Sequence, residues 1–232
     1  MARITRKELK TDKFALEFEH GVTFFEEHRA EIIRYGGIAV AAILLIIGYM
    51  IYQRHQHTAR EEALFKAIQA QEAPVGAAPG APISFPTQEA KDQETIRLFS
   101  SIASKYSGSV EGEIAQYYIG CIKTDQGKLA DAEKNFREVA DHGDAKYSSL
   151  AKMALSQIYF SDGRDAEGEK VLRDLMAHPT IFVSKDQATI ALARQLMAKK
   201  PAEARNLLKP LSTVQGSVGQ VAVAMLGELP PQ

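Results

Sequence analysis

Residues 115–140 read AQYYIGCIKTDQGKLADAEKNFREVA, and residues 151–175 read AKMALSQIYFSDGRDAEGEKVLRDL. Laid over one another at an offset of 36 positions, the two stretches agree where packing is most demanding, and residues 188–211, ATIALARQLMAKKPAEARNLLKPL, fall into the same columns. Ala132, Gly168 and Ala204 form one column, Phe136, Leu172 and Leu208 a second, and Val139, Leu175 and Leu211 a third. Upstream, Ile119-Gly120 aligns with Leu155-Ser156 and Ala191-Leu192, while Gly127 aligns with Gly163. A small residue early in a helix lets its partner helix approach closely. Large apolar residues four and seven positions later then fill the space between that pair and the next. Glycine between the two helices supplies a positive φ where the first one ends. The period and the pattern together predict stacked helical hairpins.

At these residues the chain resembles the tetratricopeptide repeat family, whose unit runs L-G, Tyr, Gly, Ala, Phe, Ala over 34 residues. The first stretch follows that pattern except that Lys123 stands at the usual Tyr position; the second keeps Tyr159 and Gly163 but has Gly168 as its small residue. The third is the most degenerate. Flanking segments fit an array. QETIRLFSSIASKYSGS, with Ile96, Phe99, Ile102 and Tyr106 at helical spacing, reads as a lone second helix, and VGQVAVAMLGEL, with Leu226-Gly227, as a lone first helix closing the stack.

A different signal lies nearer the N-terminus. Gly36 to Tyr52, GGIAVAAILLIIGYMIY, carries no charge and as a helix covers roughly 25 Å. Snorkelling by Arg34 and Arg54 supplies the rest of a hydrocarbon core of about 30 Å. A buried core helix would be interrupted by polar residues on one side, and a cleaved signal peptide would end in a small-residue site instead of YQRHQH, so an uncleaved signal anchor fits better. Seven basic residues precede the run (Arg3, Arg6, Lys7, Lys10, Lys13, Arg29, Arg34), against Arg54, Arg60 and Lys66 in the twenty after it. That imbalance predicts the N-terminus inside and the C-terminal part outside, which in a bacterium is the periplasm. The domain expectations are a cytoplasmic tail over 1–33, a transmembrane helix over 34–54 and a helical stalk over 55–71. A flexible to semi-extended Pro/Gly/Ala linker over 72–86 and a repeat domain over 87–232 complete them. The tail, with Phe14, Phe18, Phe24 and Phe25 among mixed charges, reads as a partly helical leader that sets topology.

The fold class expected is therefore all-α: one N-terminal transmembrane helix followed by a tetratricopeptide-repeat-like α-solenoid. In order and topology the whole chain resembles the bacterial inner-membrane family of ancillary Sec translocon subunits and periplasmic chaperone-like proteins. That resemblance implies contacts with the Sec channel and with periplasmic chaperones.

Composition narrows the function. A formal net charge of -1 leaves no basic excess to neutralise phosphates, so nucleic acid is not an expected partner. A single cysteine, Cys121, excludes an internal disulfide and a multi-cysteine zinc site. His55 and His57 are two apart, pointing away from each other on a helix, and His20, His28, His142 and His178 are isolated. GAAPG lies in a Pro-rich stretch with no strand before it, so it is linker and not a phosphate loop. No base is identifiable for Cys121, which reads as a packing residue. No enzyme activity, cofactor, metal or small-molecule substrate is expected.

What remains is protein binding. The resemblance implies that the first helix of each pair lines a groove. This selects Tyr117, Cys121, Thr124 and Asp125 in repeat one, Met153, Gln157 and Phe160 in repeat two, and Thr189 and Ala193 in repeat three. The set lacks the basic cluster that would clamp a terminal carboxylate. The expectation is a scaffold or chaperone-like factor holding a segment of an envelope protein. The alternative is a structural component of an envelope machine, for cell division or outer-membrane assembly, without client binding.

Overall fold

The computed structural model describes residues 29–77 and 80–230, the side chains of Glu31 and Ile32 aside. The tail with its four phenylalanines lies outside the described residues. The described residues divide into two units, the boundary lying between Thr58 and Ala59.

The described part of the first unit belongs to α1 (Arg29–Glu72). Its run of Ile, Val and Leu contains no proline, and its side chains are exposed, Leu45 most of all at 75%. The helix is long and apolar enough to cross a membrane.

In the second unit the described residues are helical apart from turns and one isolated bridge. They contain the end of α1, then α2 (Gln88–Lys105), α3 (Val110–Asp125), α4 (Leu129–His142), α5 (Ala145–Ser161), α6 (Asp165–Ala177), α7 (Lys185–Leu196), α8 (Pro201–Leu211) and α9 (Ser217–Glu228). From α2 onward each helix packs against the next, and α9 closes the stack against α8 and α7. Every residue of the three main columns is buried, with Ala132, Ala204 and Leu208 at 0% exposure. The interior runs as three successive clusters, around Phe99 and Ile122, around Phe136 and Leu155, and around Leu192 and Leu208.

The small residues do the work their column suggested, with an added reciprocity. A Cβ on Gly120 of α3 would lie 2.7 Å from the Phe136 ring of α4. In the next hairpin the roles reverse, since a Cβ on Gly168 of α6 would lie 2.6 Å from the Phe160 ring of α5. Each pair thus sets one aromatic ring against one glycine, and either helix can supply the ring. Gly127 and Gly163 hold φ of 72° and 75° at the turns between paired helices, the left-handed region that disfavours a side chain.

Helix starts repeat in kind along the array. The first helices α3, α5 and α7 start at Ser109, Asp144 and Ser184, whose side chains accept bonds from the backbone N–H groups of the first turn. The second helices α4, α6 and α8 start at Lys128, Arg164 and Lys200 without a side-chain cap. These three basic residues stand 36 apart, and two of them reach the preceding repeat. Arg164 donates to Glu133 at 2.8 Å, and Lys200 donates to Glu169 at 2.5 Å. Glu133 also pairs with Arg137, and Glu169 with Arg173, one turn on in each case. Lys200, and then Arg173, hold the Glu169 carboxyl below the usual carboxylate range. A ladder of equivalent charges therefore ties α4 to α6 and α6 to α8. Its acidic and basic positions, such as Glu133 and Arg164, are 31 residues apart in the sequence and meet only in the stacked hairpins.

The segment read as a solvated stalk is different. Ala67, Ala70 and Ala73 are buried. Ala67 shares a core with Phe99, Ile102, Ala115 and Ile119, and Ala63, Leu64 and Ile68 pack on it. Arg60 reaches the buried Glu111 of α3 at 3.4 Å. Residues 59–72 thus supply the first helix that α2 was expected to lack. The proline-rich segment joins two packed helices of the same unit: Gly76 N–H donates to the Phe85 carbonyl at 2.8 Å, and Phe85 N–H to the Pro74 carbonyl at 3.1 Å. The physical reason is the alanine face, which is small enough to lie against Phe99 and would otherwise leave that ring uncovered.

Gly120→Ala and Gly168→Ala are each expected to destabilise the array by about 1–3 kcal/mol, because each new methyl group collides with a ring held by its own packing. Gly227→Ala, where nothing lies within 4 Å of the new Cβ, should be neutral or stabilising by up to about 1 kcal/mol. Urea titration followed by circular dichroism reads all three. Equal effects at the three positions would contradict the contact.

Candidate functional site

Between α3 and α5, above α4, the stacking leaves a cleft of about 490 Å³. Tyr117, Cys121, Thr124 and Asp125 line its α3 wall. Leu150, Met153, Ala154, Gln157, Ile158 and Ser161 line the α5 wall, and Leu129 and Phe136 form the floor. The first-helix positions Tyr117, Cys121, Thr124, Asp125, Met153 and Gln157 are therefore brought together in one depression. Leu150, Ala154 and Ser161 were missed, although they extend the stripe of Met153 and Gln157 at intervals of three and four along α5.

Three selected residues lie elsewhere. Phe160 packs against Gly168 and faces a second depression with Asp165, Glu169, Arg173 and Lys200. Thr189 and Ala193, at 6% and 0% exposure, are buried in the last core cluster. Leu150, Met153 and Phe160 pack against that cluster from α5. Thr189 and Ala193 keep the spacing of the first-helix positions but are buried, so they form no wall of an open groove.

The cleft is aromatic at one end and acidic at the other. Tyr117 contacts Phe136 with ring centroids 5.6 Å apart and Tyr147 at 5.8 Å, and Tyr147 contacts Phe182 at 5.5 Å. On the other side Tyr117 meets Tyr118, which stacks on Phe99 at 5.0 Å. These edge-to-face and stacked contacts run from α2 to the loop before α7 and fix Tyr117 in place. Phe182 reaches back because residues 181–184, at the positions of Ala145–Ser148 one repeat earlier, are not helical. Thr180 holds them, its hydroxyl accepting from the N–H groups of Phe182 and Val183 at 3.2 and 3.1 Å.

Burial pushes the Tyr117 phenol well above its ordinary range. Burial also raises the Cys121 thiol, with the Asp125 charge adding to the effect and a bond with Tyr117 opposing it. Cys121 is consequently a protonated, packed thiol at neutral pH and not a nucleophile. Among the described residues no group of three or more His, Cys, Asp or Glu is placed to share a metal ion. The arrangement offers apolar area, adaptable sulfur-bearing side chains and one carboxylate, which suits recognition of a side-chain-bearing segment.

Because the Cys121 pKa lies above that of an ordinary thiol, its thiolate fraction is still growing where a free thiol has levelled off. Its rate of reaction with a water-soluble disulfide reagent should therefore keep rising with pH beyond the value at which glutathione reaches its plateau. A plateau at or below that of glutathione would contradict the buried, protonated thiol.

Comparison with curated proteins and with solved structures found no match. A family defined by its tetratricopeptide repeat-like domain matches residues 23–189, which take in the apolar helix, the leading hairpin, repeats one and two, and the start of α7. That match covers well over half of the chain and agrees with the helical hairpins, their period and their buried columns, and the chain belongs to the tetratricopeptide repeat-like domain family.

Proposed function

We propose that the protein is a membrane-anchored scaffold with chaperone-like activity, which holds segments of envelope proteins in the cleft between α3 and α5. The observation that carries this reading is the cleft itself: ten first-helix side chains from two repeats converge on an apolar floor with a single charge at one end. Repeat arrays of this family are protein-interaction platforms, and their grooves take helices or extended peptides. The apolar stretch of α1 supports a membrane anchor. Seven basic residues before it against three in the twenty after it favour an inner-membrane protein whose tail is cytoplasmic and whose array is periplasmic. In that setting the segments held are those of proteins emerging from or assembling in the envelope, and the resemblance to ancillary Sec translocon subunits implies that channel as a partner.

The test uses the full chain in lipid nanodiscs and a heat-unfolded reporter enzyme whose aggregation is followed by light scattering. The native chain should suppress aggregation at near-stoichiometric ratios, and Gln157→Trp, which fills the cleft from an exposed position of α5, should lose most of that effect while keeping its helicity. Suppression unaffected by Gln157→Trp would overturn the cleft as the holding site. Absence of suppression by the native chain would favour the alternative, a spacer within an assembly for cell division or outer-membrane construction.

A further inference from the structure

We infer that the segment taken by the cleft carries a large apolar side chain with a lysine or arginine about one helical turn away, the cation meeting Asp125; this rests on the reading that the cleft binds protein. Twelve side chains line the cleft, and Asp125 is the charged one among them. It is the last residue of α3, and Ser161, at the same end of the opposite wall, is the last of α5. Both helices therefore end there, and the negative ends of their dipoles add to the potential of the carboxylate. Asp162, the exposed residue that follows α5, adds a further negative charge on that side.

The opposite end of the cleft carries no charge. Tyr117, Phe136 and Met153 form its apolar pocket, and a thioether adapts to aromatic and branched aliphatic side chains alike. The field from the acidic end reaches inward, since Asp125 contributes to holding the proton on Cys121 one turn away. From the level of Cys121 to Asp125 is four residues of helix, about 6 Å. An apolar anchor seated beside Cys121 and Met153 therefore places a cation three or four residues away on a bound helix, or two away on a bound strand, against Asp125. A terminal carboxylate or an acidic segment would be repelled at this position.

The experiment measures binding of three fluorescent twelve-residue peptides to the full chain in nanodiscs by anisotropy. Each peptide carries one Phe in an Ala/Gln background, with Lys, Gln or Glu four residues after it. The Lys peptide should bind roughly fivefold more tightly than the Glu peptide, a size typical of one partly exposed ion pair exchanged for a repulsion. Asp125→Asn should erase that difference and Asp125→Lys should reverse it; both changes lie at an exposed helix end where neither threatens the fold. Equal binding of the three peptides, or the same preference in Asp125→Lys as in the native chain, overturns the inference. Gln157→Trp separates the two readings: if it abolishes binding of all three peptides, the cleft is the site whatever the charge preference, and if it leaves them unaffected, both readings fail. No saturable binding of any peptide likewise contradicts both.

Discussion

The structure depends on the distance between the two helices of the hairpins in repeats one and two, and that distance is set where a ring meets a residue with no side chain. Phe136 lies where a Cβ of Gly120 would be, and Phe160 where a Cβ of Gly168 would be. A methyl group at either glycine would push the helices apart or drive a ring off its rotamer, and the column residues four and seven positions along would no longer mesh with the next pair. The reversal of ring and glycine between consecutive hairpins keeps the spacing while changing the surface. In repeat one the ring stands on the second helix and forms the floor of the cleft. In repeat two it stands on the first helix and packs against the last core cluster.

The outer side of the stack is held by a different force. Lys128, Arg164 and Lys200 occupy the uncapped starts of the second helices, and Arg164 and Lys200 meet Glu133 and Glu169 of the repeats before them. Each exposed pair is individually weak. Their recurrence at one geometry opposes sliding of one hairpin over the next, and Arg164 gains a further contact by lying over the Tyr159 ring, 4.2 Å from its centroid. Dispersion and ring contacts thus position the inner face, and charge pairs the outer one. The space left between α3 and α5 is what the ring of repeat one does not fill.

Much of this was legible in the sequence. Columns at 36 residues gave the hairpins, the buried faces and the glycine turns, and the stripe from Tyr117 to Asp125 gave one wall of the cleft. Periodicity alone does not tell an open position from a buried one, as at Thr189 and Ala193, which keep the spacing of groove residues but lie in the interior. It failed again at residues 59–72, whose alanines carry little hydropathic signal although smallness is what lets them pack on Phe99. The ladder went unread because Glu133 and Arg164 are 31 residues apart, and an ion pair at that separation is visible only once the hairpins are stacked. Residues 181–183 show the converse case: an apolar IFV stretch in a helical column, unwound where Thr180 offers its hydroxyl to two backbone N–H groups in place of a helical turn.

The central claim is that residues 59–72 are the first helix of the array and not a free stalk, so that the array is one stack from Ala59 onward. Amide hydrogen exchange of the full chain in nanodiscs tests this most directly. The account predicts that amides from Ala63 to Ala73 are protected to the same degree as those of α2 and α3 and lose protection together with them as urea is raised. Exchange of residues 63–73 at the rate of an isolated solvent-exposed helix, while α2 to α9 stay protected, would contradict it.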